Sequence, residues 1–471
     1  MLKERLIVSE LKKFVSEEDY DRILVLVGIR RIGKTTALKQ LQQYEPDSTY
    51  INFTEIDAWD KLIEFMESPK KLLLLDEISF LKNYPTEIMH IEHQSVELGY
   101  KVIITGSSPT HLMSLYGGPL GGGRSTLRRL SLLSFTEYLY FSGKVDSYKD
   151  DYNPTEKDFI DYLRLKGIPE GLKITFNEEY FRTFYSDVEL ANRNTTLVRD
   201  YIRVDEEHIL SICDLLAYKL QLNVKYETFV RPDIGAREVP KKQDRKILDF
   251  SDTYLSQSSD TFSKLTPAEK ATALHFMVKA GMAYVDLPYK KSKHVGVSDL
   301  FSALEQVNTN NDLVYIFLDY NICPISPLMY TRLAEDILSK AGLTDDVLAH
   351  PRILGMMLES YIKGTRACQS ESWNLISYKV DEHGEEIDLF DRDLSLLCEI
   401  TVSNKKLNSV HLNKHFQEEN YIRVLATKNI EDFVDGIHRI PYPKLCMMFD
   451  KNLVNNSLQQ TSTPSSVFDK N

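Results

Sequence analysis

Gly28-Ile29-Arg30-Arg31-Ile32-Gly33-Lys34-Thr35 carries the spacing G-x-x-x-x-G-K-[ST]. Glycine permits a tight turn and a close approach of backbone N–H groups to phosphate oxygens. A helix beginning at Lys34 would add partial positive charge at the same place. The Lys34 ammonium would reach β- and γ-phosphates, and the Thr35 hydroxyl would ligate Mg²⁺. Lys71-Leu72-Leu73-Leu74-Leu75-Asp76-Glu77 is an apolar run ending in two acids. Asp76 can hold the Mg²⁺ through water, and Glu77 can orient and polarise an attacking water. Lys101-Val102-Ile103-Ile104-Thr105-Gly106-Ser107-Ser108 is a second apolar run ending in small polar residues. Thr105 or Ser107 would sense the γ-phosphate there; a plain strand end or helix cap is the alternative.

These residues need a parallel sheet to position them. Residues 1–145 alternate apolar β-branched runs with amphipathic stretches, with strands expected at 22–27, 49–53, 71–75, 101–105 and 127–133. Helices are expected at 34–44, 57–67, 86–98 and 134–141. That alternation is the pattern of an α/β fold with crossover helices. The run Gly117-Gly118-Pro119-Leu120-Gly121-Gly122-Gly123-Arg124 is too glycine-rich for regular structure. Residues 146–200 read as a small helical lid. From 201 to 320 the pattern suggests a winged helix. Thr266 caps a helix there, with Pro267 at its first position, and 282–289 and 314–319 read as strands. Residues 321–455 open with helices and continue with strands near 375–380, 386–390, 395–402 and 421–426. Residues 456–471 lack a core-forming pattern and are expected to be disordered.

Composition sets limits. The chain of 471 residues has room for about three domains. It is 42% hydrophobic and 27% charged, as a water-soluble globular protein is, and no apolar run approaches the ~20 residues of a membrane span. The amino terminus has no signal-peptide core. Five cysteines (Cys213, Cys323, Cys368, Cys398, Cys446) form no C-x-x-C pair, which argues for reduced thiols in a cytoplasm and against zinc. A net charge of −12 argues against an extended nucleic-acid-binding surface while leaving room for a local basic groove.

The motif set resembles the AAA/STAND-like P-loop ATPases of archaea and bacteria. The matching segments are Val27 to Thr36, Leu75-Asp76-Glu77-Ile78, Ile104 to Ser108 and Leu132-Leu133-Ser134-Phe135-Thr136-Glu137-Tyr138, with Gly355 to Ile362 further on. The resemblance implies a P-loop NTPase core with a parallel sheet, a helical lid or winged helix, and an α/β restriction-endonuclease-like C-terminal domain. It implies ATP and Mg²⁺ as ligands, held by Gly28, Gly33, Lys34, Thr35, Thr36, Asp76, Thr105 and Ser107. Arg30 and Arg31 join them as nucleotide contacts or bridges to the lid, with a surface role as the alternative. It also implies a homo-oligomer in which Arg124 of a neighbouring subunit stabilises the transferring phosphoryl group; Arg128 and Arg129 compete for that role.

The C-terminal acids resemble the PD-(D/E)xK nucleases. Glu359, then Asp388 in Glu386-Ile387-Asp388, then Glu399 in Cys398-Glu399-Ile400-Thr401 would converge on Mg²⁺. Thr401 stands where that motif expects Lys, and Lys405 or Lys406 would supply an ammonium from a shifted position. Basic clusters at 237–246, 290–294 and 405–414 make DNA a candidate partner alongside another protein. Two functions therefore stand at this stage: an ATP-driven switch, or an ATP-gated nuclease.

Overall fold

The computed structural model describes residues 3–17, 22–28, 32–81, 84–106, 125–166, 283–288, 297–309, 322–328, 351–369, 375–380, 386–404 and 421–454, with isolated positions between them. The chain divides into two compact units. The first comprises 1–133 with 170–210 and 275–282, and the second 134–169, 211–274 and 283–471.

In the first unit, α1 (Leu6–Ser16) is followed by β1 (Ile23–Val27), α2 (Lys34–Tyr44), β2 (Ser48–Asn52) and α3 (Ala58–Glu67). Then come β3 (Leu72–Asp76), α4 (Tyr84–Leu98), β4 (Lys101–Thr105) and β5 (Ser125–Arg129). The five strands form one sheet in the order β2-β3-β4-β1-β5, and every pairing is parallel. β1, β3 and β4 are buried along their whole length, which is why they read as unbroken apolar runs rather than alternating ones. Ile23, Val25, Leu73, Leu75, Val102 and Ile104 from these strands share a core with Leu62 and Phe65 of α3 and Ile88 and Ile91 of α4. The expected strands and helices of this region form within one or two residues of their expected limits, apart from β5, which begins and ends earlier. α1, not foreseen as a helix, buries Ile7, Val8, Leu11, Phe14 and Val15.

The second unit contains α5 (Phe135–Phe141), α6 (Glu156–Leu163), β6 (Ala283–Pro288), α7 (Val297–Glu305), β7 (Ile322–Pro324) and α8 (Pro351–Gln369). It continues through β8 (Leu375–Val380), β9 (Glu386–Ile387), β10 (Leu389–Asp391), β11 (Leu396–Glu399) and β12 (Ile422–Thr427). β13 (Asp432–Val434), β14 (Ile437–Pro441) and α9 (Tyr442–Asp450) complete it. One sheet has the order β10-β11-β12-β14-β13, the other β7-β6-β8-β9. Phe135, Tyr138, Phe159, Tyr162 and Tyr361 pack edge to face, tilted or stacked, with ring centroids 5.4–6.5 Å apart.

Two expectations are corrected here. Residues 283–288 do form the anticipated strand, but it pairs in parallel with β8 and antiparallel with β7, inside a sheet of the second unit. Residues 314–319 were expected as its partner strand, yet Asp312, Ile316 and Tyr320 are helical. An apolar run such as Val314 to Leu318 suits a buried helix as well as a strand, and periodicity alone does not separate them. The described positions of the helix expected after Thr266 are helical. Of the lid expected over 146–200, residues 167–200 lie outside the described residues; of the tail expected to be disordered over 456–471, Leu458 is instead helical and 6% exposed, and the other positions lie outside the described residues.

Candidate functional site

The phosphate-loop residues leave β1 and enter α2. A Cβ on Gly28 would lie 2.5 Å from both the Leu130 carbonyl oxygen and Ile32 Cδ1, so no larger residue fits there. Gly33 has φ +100°, a backbone that only glycine adopts without strain. Lys34 opens α2 with its side chain buried, and its ammonium donates to the Gly28 carbonyl oxygen at 2.7 Å. Thr35 is half-buried and Thr36 is exposed on the first turn.

β4 lies between β1 and β3 and all three run parallel, so the C-terminal ends of β3 and β4 open on the edge of the sheet from which the loop emerges. In open parallel sheets, ligands bind at that edge. Asp76 ends β3 and is 1% exposed. One of its oxygens accepts the Glu77 N–H at 3.0 Å, and the other accepts the Tyr50 hydroxyl at 2.8 Å. Burial, and then the charge of Asp76, push the Tyr50 phenol well above its ordinary value, so it stays a donor. Tyr50 was missed at the sequence level; its position on β2, directly beside β3, is the only cue. Glu77 is half-buried and adopts the left-handed conformation (φ 56°) at the turn into a short 3₁₀ helix, Ile78–Phe80. Backbone of this kind, uncommon outside glycine, concentrates at functional positions. Gly106, just after β4, lies against the Glu77 Cα and the Ile78 nitrogen.

Thr105 is buried and its hydroxyl donates to the Leu26 carbonyl oxygen of β1 at 2.9 Å. That bond ties β4 to β1. Arg30, Arg31, Ser107 and Arg124 lie outside the described residues. Arg128 is exposed and pairs with Glu10 at 3.4 Å.

A Mg²⁺ ion bound with a nucleotide typically takes one or two carboxylates, a hydroxyl, waters and phosphate oxygens. Asp76 and Thr35 are of the residue types that would supply a carboxylate and a hydroxyl to such a set, and each Asp76 oxygen keeps a lone pair beyond the bond described above. Among the described residues no three His, Cys, Asp or Glu side chains are gathered closely enough to hold a metal by themselves.

The second unit holds a separate group of charges. β10 and β11 form the expected hairpin, with Leu389 opposite Cys398, so Asp388 and Glu399 flank one paired position. Asp388 sits at the bend between β9 and β10 and accepts the Ile400 N–H at 2.6 Å. Burial, and then the negative charge of Glu359, raise its carboxyl above the usual range, against the pull of Lys363 and the Ile400 bond. Lys363 lies one turn beyond Glu359 on α8 and was not foreseen as part of the site. Its ammonium donates to Asp286 at 2.5 Å and to Glu359 at 2.7 Å. Lys363 and Asp286 side chains are each 1% exposed, whereas Glu359 is 41% exposed. Burial alone would neutralise this lysine, but Asp286, Glu359 and Asp388 more than offset it and keep it charged. The i,i+4 spacing of Glu359 and Lys363 was legible; the role of Asp286, 77 residues upstream of Lys363, was not. Lys405, Lys406 and the other basic clusters fall wholly or mostly outside the described residues.

Residues 20–139 match the family described as an AAA domain. That match falls on the all-parallel sheet, whose architecture resembles a P-loop NTPase core. An uncharacterised protein of Methanocaldococcus jannaschii is 22% identical over 258 residues, covering 47% of this chain and 53% of its own length. An uncharacterised protein of Haemophilus influenzae is 27% identical over 177 residues, covering 34% of this chain and 42% of its own. The chain thus spans about half the length of these curated relatives. Among solved structures, AMPPCP-bound DnaA from Aquifex aeolicus aligns at 18% identity over 58% of this chain and 84% of that one, with a TM-score of 0.25. Domain III of the Thermotoga maritima replication initiation protein DnaA aligns at 15% identity over 39% of this chain and 84% of that one, with a TM-score of 0.24.

Proposed function

We propose that this chain binds and hydrolyses Mg-ATP and uses the cycle to drive a conformational switch. The observation that carries this is the adjacency of β3, β4 and β1, which brings the Lys34 loop, Asp76 and Glu77 to one edge of one sheet. The Lys34 ammonium exchanges the Gly28 carbonyl for β- and γ-phosphate oxygens when nucleotide enters. Thr35 and Asp76 would hold the Mg²⁺, which would supply positive charge against that building up on the phosphates. Tyr50 and the Glu77 N–H fix the Asp76 carboxylate in its rotamer. Glu77 orients the attacking water and accepts its proton. A homo-oligomer with Arg124 acting in trans, a DNA or protein trigger, and a cytoplasmic setting complete the reading. Among the described residues no helix is long and apolar enough to cross a membrane.

The test is steady-state ATP hydrolysis with Mg²⁺, with and without duplex DNA, for wild type and Glu77→Gln. The expected outcome is turnover in wild type and a loss of about 10²-fold or more in the variant, with nucleotide binding retained. Equal rates in the two proteins refute the role of Glu77. A rate indifferent to DNA refutes the DNA link and favours a protein trigger.

A second reading, an ATP-gated Mg²⁺-dependent DNA nuclease, is favoured by one observation. Thr401 removes the ammonium from the strand, while Lys363 brings one to Glu359 and Asp286, in the electrostatic neighbourhood of Asp388. Duplex cleavage that needs Mg²⁺ and ATP and disappears in Asp388→Ala would support it; intact DNA under those conditions would end it.

A further inference from the structure

We propose that Arg5 is a positioning residue of the phosphate loop, orienting the Gly33 N–H toward the anion. The proposal deepens the nucleotide-binding reading and rests on it. Arg5 stands immediately before α1 and is 8% exposed. Its Nη1 donates to the Ile32 carbonyl oxygen at 2.7 Å and its Nη2 to the Ser131 carbonyl oxygen at 3.1 Å. The two carbonyls lie at opposite ends of the loop's surroundings. Ile32 is the loop's exit, one residue before Gly33. Ser131 follows Leu130, whose N–H donates to the Val27 carbonyl at 2.8 Å and whose carbonyl oxygen occupies the space a Cβ on Gly28 would need at the loop's entry. One guanidinium therefore braces both ends.

The peptide plane supplies the mechanism. The Ile32 carbonyl and the Gly33 N–H belong to one trans peptide, so they point in opposite directions. Fixing the carbonyl on Arg5 fixes the N–H on the far side. A full positive charge on the carbonyl also polarises the group and strengthens the N–H as a donor. Gly33 has no side chain to restrict its own rotation, and its φ of +100° is open to glycine across a broad range. An external brace is what such a peptide needs.

Arg5 is itself held. The Gln40 side-chain amide of α2 donates to the Lys3 carbonyl at 3.2 Å. The Lys12 ammonium sits 4.6 Å from the Tyr44 ring centroid of α2, and the Lys101 ammonium of β4 lies 4.6 Å from that of Phe14. With Glu10 paired to Arg128 of β5, α1 is fastened to the elements that flank the loop.

The experiment measures binding of ADP and AMP by calorimetry to the full chain as wild type, Arg5→Met, Arg5→Lys and Lys34→Ala, with melting temperatures alongside. A loop amide aimed at the phosphates serves ADP more than AMP. ADP affinity should fall roughly tenfold to hundredfold in Arg5→Met, with AMP affinity changed much less. Arg5→Lys, whose ammonium serves one carbonyl, should fall between. If wild type binds ADP and Arg5→Met keeps the same ADP-to-AMP ratio, the proposal is overturned and the nucleotide-binding reading survives. If wild type and Lys34→Ala bind ADP equally poorly, the nucleotide-binding reading itself fails. Should Arg5→Met not fold, Arg5→Lys carries the same comparison, and an unchanged ratio there overturns the proposal.

Discussion

Replacing Lys363 with Met removes the ammonium that faces Asp286 and Glu359 while keeping the length of the side chain. The two partners differ in what they lose. Asp286 is 1% exposed, so its carboxylate, deprived of Lys363, cannot turn to water for compensation. Breaking a buried pair from one side costs about 3–5 kcal/mol, mostly as the penalty on the charge left behind. Glu359 is 41% exposed and relaxes into solvent, so Glu359→Gln should cost no more than about 1 kcal/mol. The double variant Lys363→Met/Asp286→Leu removes both charges and should recover most of the loss. Amide hydrogen exchange of α8 reads this locally. Its slowest amides should exchange roughly 10²- to 10⁴-fold faster in Lys363→Met, near wild type in Glu359→Gln, and slowly again in the double variant. Acceleration under tenfold in Lys363→Met, or a double variant no better than the single, would refute the argument.

Further tests follow from other positions. Gly28→Ala places a methyl 2.5 Å from a backbone oxygen, which cannot move aside as a side-chain end does; it should destabilise the first unit by about 1–3 kcal/mol and weaken ATP binding, measured by denaturation and calorimetry. Asp450 is raised from 3.8 to about 6, chiefly by burial, despite hydrogen bonds from Tyr361 and the Thr136 N–H. A carboxyl with a raised folded-state pKa stabilises the fold fully below about pH 4 and loses that contribution as pH rises to about 6. The loss amounts to roughly 3 kcal/mol, and Asp450→Asn should flatten this part of the stability profile; an unchanged slope in urea titrations between those pH values would contradict it.

The first unit was readable because its information is local. Gly28, Gly33 and Lys34 lie within seven consecutive positions, and the strands carrying them are buried on both faces, so hydrophobic runs reported them directly. Tyr50 and Arg5 escaped because their work is done across the sheet or across the loop, with no spacing rule to announce it. The second unit was harder for the same reason on a larger scale. β6 finds its parallel partner β8 about ninety residues later, and a strand cannot state in its own residues which sheet it will join. Asp388 and Glu399 were legible as a hairpin pair because the turn between them is short.

The amino terminus of α5 shows the same separation in time. Its first N–H groups are satisfied by side chains: Phe135 by the Tyr361 hydroxyl at 2.6 Å, Thr136 by Asp450 at 2.8 Å and Glu137 by its own cap, Ser134. Asp450 follows Thr136 by 314 residues. At ~5–20 residues per second on a ribosome, that gap is roughly 15–60 s, during which the sheet that ends at Arg129 is already complete. Through that interval Phe135, Tyr138, Phe159 and Tyr162 have been synthesised while the α9 residues that cover them have not. The nascent chain therefore carries a completed parallel sheet followed in sequence by an uncovered aromatic cluster, the kind of intermediate that chaperones recognise.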